Sequence, residues 1–166
     1  MGWRDDLDRI LDPSYLGDVE SRSIDELRRM AGECQGVGDD ASYLRRQVQG
    51  RLDIVRWELT QRESGDGPSS TDDLVKSLTG VLSPNVHAPG HQQMVDGVEP
   101  PHLDELTEEL AATVPPVWKL PELADADLRA LAERLQATES EYSALRQEVF
   151  ARADALRAAI TGQLGG

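Results

Sequence analysis

The sequence predicts an all-α protein: a long antiparallel coiled-coil helical hairpin with a short middle helix and an irregular connecting segment. Three observations predict it. Leu, Ala, Arg and Glu are abundant while aromatic residues make up only 4% of the 166 residues, a composition that suits thin helical assemblies better than a broad core. Two long stretches carry apolar residues three and four apart, the spacing of one helix face. Finally, a polar and apolar pattern in the first stretch recurs in the second: Ser42, Leu44, Arg45, Val48, Arg51, Asp53 and Arg56 return as Ser143, Leu145, Arg146, Val149, Arg152, Asp154 and Arg157.

Residues 1–22 mix charge with Pro13 and Gly17 and read as an extended or partly helical arm. Ser23 with Glu26 forms a capping-box pattern that opens the first long helix, residues 23–62. Its apolar seam includes Leu27, Ala31, Cys34, Ala41, Leu44, Val48, Leu52, Val55 and Leu59, and the run ESGDGPSS stops it. Gly36 and Gly38 each cost a helix about 1 kcal/mol relative to alanine, which makes that stretch the candidate for a bend or loosened turn. Residues 63–124 are the connector. A short helix follows Ser70 or Thr71 through Leu74, Leu78 and Leu82; residues 83–102 read as a loop, residues 102–114 as a helical turn or two, and PPVWKLPEL as extended because of its prolines. The last helix, residues 125–164, has its seam at Leu128, Leu131, Leu135, Thr138, Tyr142, Leu145, Val149, Leu156 and Ile160. Stripes so long and narrow demand a partner helix, and economy of symmetry makes the pair antiparallel.

The net charge of −14 argues against a direct DNA-binding surface, because phosphate contacts drive such binding. Within this acidic chain the two repeats are basic islands, where a small anion would go. The single cysteine, Cys34, fits a reducing compartment. The acidic start lacks an apolar signal core, and nothing approaches the ~20 apolar residues that span a bilayer, so the expectation is a cytoplasmic protein without a membrane role. His87, His91 and His102 are read as mobile loop histidines, since Pro and Gly within HAPGH keep the first two off a common helix face; no metal is expected. Trp3 and Trp57 are read as packing residues, and Trp118 as an anchor for the middle segment or a partner. No phosphate loop, nucleophile elbow or acid–base pair points to an enzyme.

At 100° per residue, Ser42, Arg45, Gln49 and Asp53 share a flank about 100° from the centre of the seam. Glu139, Ser143, Arg146, Phe150 and Asp154 hold the equivalent flank of the last helix, so paired seams set both stripes beside one groove. Arginine suits guanine O6 and N7, or stacks on a base, and a carboxylate accepts from N1–H and N2–H of the same base. Ser and Arg also serve phosphate oxygens. The competing reading is that these charges are coiled-coil flank residues making salt bridges; recurrence of the Ser–Arg–Asp spacing favours a two-fold symmetric ligand.

The pattern Glu-x3-Ser-x2-Arg-x3-Gln-x3-Asp, present twice on paired helices, resembles the RsiG family of actinobacterial anti-sigma factors. The first copy matches at Ser42, Arg45, Gln49 and Asp53, and the second at Glu139, Ser143, Arg146 and Asp154. The arm DPSYLGDVESRSIDELRR also resembles the family. The resemblance implies cyclic di-GMP held between two antiparallel helices by these eight residues, and sequestration of a flagellar-type sporulation sigma factor when the nucleotide is bound. Two positions depart: Gly38, with Asp39 and Asp40 beside it, stands for the first Glu, and Phe150 for the second Gln. A nucleotide-independent coiled-coil adaptor, or an anti-sigma factor with a decayed site, is the alternative these departures leave open.

Overall fold

The computed structural model describes residues 2–65, 67, 70, 72, 73, 76 and 101–165, and these are all-helical, with no strand among them. Helix α1 spans Trp3–Leu11, α2 Ile24–Glu63, α3 Leu103–Thr113 and α4 Asp125–Leu164; a 3-10 helix, Val117–Glu122, precedes α4. The short helix expected after Ser70 falls mostly outside the described residues, although Ser70 and Asp73 exchange the bonds of a capping box. The loop with His87 and His91 lies wholly outside them.

Helix α2 begins as its sequence dictates. The Ser23 hydroxyl accepts from the Glu26 N–H at 3.3 Å, and the Glu26 carboxylate accepts from the Ser23 N–H at 3.0 Å. The helix then runs unbroken through Gly36 and Gly38, with no loosened turn there. Its buried seam supplies the reason, since packing against a partner outweighs the glycine penalty of about 1 kcal/mol each.

The two long helices pack side by side in opposite directions. Contacts run from Arg62–Asp125 through Arg56–Gln136 and Arg45–Glu139 to Arg157–Gln35 and Gln163–Arg22. The repeat extends well beyond the fifteen-residue motif: Leu27, Cys34, Ala41, Val48 and Val55 are buried every seventh residue, and their counterparts Leu128, Leu135, Tyr142, Val149 and Leu156 are buried likewise. Each helix therefore meets an equivalent of itself across a local two-fold relation.

Helices α1 and α3 close one face of this pair. The arm is partly helical and packs on the pair: Trp3, Leu7 and Ile10 are buried, and the Trp3 indole donates to Glu109 at 2.9 Å. Tyr142 of α4 donates to the same carboxylate, whose Arg4 partner offsets its charge. His102 caps the start of α3 and is no mobile loop residue: its Nδ1 lies 2.8 Å from the fully buried Asp40, and its Nε2 3.5 Å from Asp6. Burial raises the Asp40 pKa above the usual carboxylate value, and His102 partly offsets this.

The proline-rich segment corrects a further expectation. It is a 3-10 helix, not an extended strap. Pro116 precedes it with φ −59°, already suited to a helical entry. Arg62 ties this segment down, donating to the carbonyls of Leu120, Pro121 and Leu123 and to the carboxylates of Glu58 and Asp125.

Candidate functional site

Helical phase sets the motif residues on the face opposite α1 and α3. Asp40 points into the covered face; Ser42, two residues or about 200° further round, points away from it. Asp40 therefore does not replace the carboxylate missing at position 38, and Asp39 is held by Gln35 at 3.1 Å.

Arg45 and Arg146 occupy equivalent places in the repeat, yet their surroundings differ. Arg45 reaches across to Glu139 at 3.1 Å and along its own helix to Gln49 at 3.3 Å. Both members of the ion pair are largely covered, with side-chain exposures of 25% and 19%. The Arg45 Nε is buried without a hydrogen-bond partner. Arg146 instead donates from Nε to the Ser42 hydroxyl at 3.0 Å, and Ser42 donates to the Gly38 carbonyl at 2.7 Å. Its guanidinium lies 5.1 Å from the Phe150 ring centre, a cation–π contact.

The two departures from the repeat meet each other. A Cβ on Gly38 would stand 2.5 Å from Phe150 Cε1 and 2.7 Å from Cζ, so the ring fills the space a side chain at 38 would need. Gly38 and Phe150 form one joint change, made in a single half of the site.

The structure thus brings together a set of two separate hydrogen-bonded groups between the helices: Arg45 with Gln49 and Glu139, and Arg146 with Ser42. Ser143 is half-buried beside them and makes no side-chain hydrogen bond among the described residues. Asp53 is exposed and unpaired among the described residues. Asp154 is 74% exposed and bound to Arg157 at 2.9 Å. Neither aspartate joins the set. Sequence reasoning overlooked a further symmetric pair: Arg56 donates to Gln136 at 2.7 Å, and Arg157 to Gln35 at 2.8 Å. Gln35 and Gln136 obey the same repeat offset, which is the signal that would have exposed them.

Comparison with known proteins bears on the first of these two arginine-bearing helices. A family model described as RsiG-like matches residues 13–82. Over that segment the chain is similar to the RsiG-like family. The match includes the arm after α1, all of α2 and the first motif; the second motif, on α4, lies beyond it. That likeness suggests a regulator of the anti-sigma-factor type. No curated protein matches the chain. No described helix is long and apolar enough to cross a membrane, and no cluster of three metal-ligating side chains occurs among the described residues.

Proposed function

We propose that this RsiG-like chain is a cytoplasmic, non-enzymatic anti-sigma factor that responds to cyclic di-GMP. It sequesters a flagellar-type sporulation sigma factor and so represses that factor's transcription programme. Helices α2 and α4 act as a coiled-coil hairpin, and the nucleotide sits on the face that α1 and α3 leave uncovered. One observation carries the reading: two equivalent arginines, Arg45 and Arg146, cross between the helices to Glu139 and Ser42 on that face. Arginine donates to guanine O6 and N7, Glu139 and the free Asp53 accept from the N1–H and N2–H edge, and Ser42, Gln49 and Ser143 add neutral contacts. Asp154, bound to Arg157, stands at the rim of the same face. Charge-assisted bonds in a site that excludes water are worth about 1.5–3 kcal/mol each, so a few suffice for micromolar affinity.

Calorimetry with cyclic di-GMP tests the ligand, and a pull-down of the sigma factor with and without it tests the coupling. Saturable binding and nucleotide-dependent capture support the reading; absence of heat removes the ligand from it. A second reading rests on the Gly38–Phe150 contact: the remodelled half is a decayed site, and partner capture is then indifferent to nucleotide.

A further inference from the structure

Because Gly38 and Phe150 change one half of the groove only, the two halves offer different chemistry to two bases. In the first half Arg45, Gln49 and Glu139 bring donors and a carboxylate acceptor together. A carboxylate suits guanine, whose N1–H and N2–H both donate, and opposes adenine, whose N1 is a lone pair. In the second half the counterpart of Glu139 is Gly38, and the counterpart of Gln49 is the Phe150 ring lying against it. Every neighbouring carboxylate is committed elsewhere: Asp154 to Arg157, Asp39 to Gln35, and Asp40 to His102 on the covered face. What remains is a guanidinium, held by Ser42 over an aromatic ring and free of any ion pair among the described residues. Stacking on such a platform is tolerant of base identity, and the N7 an arginine addresses is common to both purines.

Resting on the cyclic-dinucleotide reading above, we propose that the groove is an unequal two-base site. The half at Arg45, Gln49 and Glu139 selects guanine; the half at Arg146 and Phe150 accepts either purine. A mixed cyclic guanosine–adenosine dinucleotide is therefore a ligand alongside cyclic di-GMP, whereas cyclic di-AMP is not.

The test is calorimetry on the full chain with three probes: cyclic di-GMP, the 3′,3′-linked mixed dinucleotide and cyclic di-AMP. The expected result places the mixed ligand within about threefold of cyclic di-GMP and cyclic di-AMP at least about tenfold weaker, the loss of one charge-assisted bond. A variant carrying Gly38→Glu with Phe150→Gln restores a carboxylate and an amide, and the mixed ligand should then fall at least about tenfold behind cyclic di-GMP. Circular dichroism of the variant confirms that its helices persist. Strict selectivity of the natural chain for cyclic di-GMP overturns the unequal site alone, as does equal affinity for all three probes or an unchanged preference in the double variant. Silence toward every probe overturns the cyclic-dinucleotide reading together with this one.

Discussion

Replacing Gly38 by alanine places a methyl group where the structure puts the edge of Phe150. The separation would be 2.5 Å to the nearest ring carbon, far inside the roughly 3.5–4.0 Å optimum for two carbons. Gly38 lies within α2 and its backbone is helical, so the alanine itself contributes about 1 kcal/mol of helix propensity. At Gly50 nothing lies within 4 Å, and the same substitution collects that gain in full, about 1 kcal/mol. At Gly38 the ring must swing away. Full burial of a phenylalanine is worth about 1.5–3 kcal/mol, and Phe150 is half-buried, so roughly half of that is lost. The Arg146 stack adds about 0.5–1 kcal/mol. The net expectation is a destabilisation of about 1 kcal/mol at Gly38, a difference of about 2 kcal/mol between two chemically identical substitutions. Urea denaturation followed by far-ultraviolet circular dichroism measures both. Adding Phe150→Ala should remove the clash, so that the Gly38→Ala effect turns favourable in that background, the mark of two residues in contact. If Gly38→Ala stabilises the natural chain as much as Gly50→Ala does, the ring does not rest on residue 38, and the joint origin of the two departures is refuted.

Three further outcomes follow from the same geometry. Arg62→Ala should cost about 3–5 kcal/mol, because Glu58 is fully buried and would lose the guanidinium that faces it; a urea midpoint close to that of the natural chain would contradict this, and Arg62→Lys should recover only part, lacking the fork that serves several acceptors. Burial raises the Asp40 pKa, so the folded state holds its proton more tightly than the unfolded one and this group's contribution weakens the fold as pH rises above the ordinary value of 3.8. Asp40→Asn should accordingly flatten that part of the pH–stability curve, most favourably near neutrality and least near 3.8; an unchanged slope argues against it. Arg45→Ala with Arg146→Ala should abolish cyclic di-GMP binding by calorimetry while the far-ultraviolet spectrum stays helical; retained affinity would exonerate both arginines.

The two long helices were readable in the chain because each element announces itself locally. Ser23 and Glu26 cap α2 by contacts within one turn, and the seams of α2 and α4 show their period without knowledge of any partner. The proline-rich segment defies a local reading for the opposite reason. Pro115, Pro116 and Pro121 argue locally against a helix, but the carbonyls of Leu120, Pro121 and Leu123 converge on Arg62, almost sixty residues earlier. The candidate site was half legible. Repetition exposed Ser42, Arg45, Arg146 and Glu139, whereas the expectation that Asp53 and Asp154 stand with them depended on rotamers and competing partners, and Arg157 takes Asp154. His102 looks loose in the sequence because its partner, Asp40, lies far away along the chain.

The sequence by itself determined the class of the protein, the lengths and phases of its two long helices and the repeated polar stripe. These follow from a periodicity of 3.6 residues, which any single helix expresses before it meets another. Only the tertiary structure decided which flank of the pair is covered, that Asp40 turns toward α1 and α3 while Ser42 turns away, and that Gly38 and Phe150 fill one another's space. Such outcomes depend on which atoms exclude each other across a hundred residues of chain, and close packing between helices is what sets them.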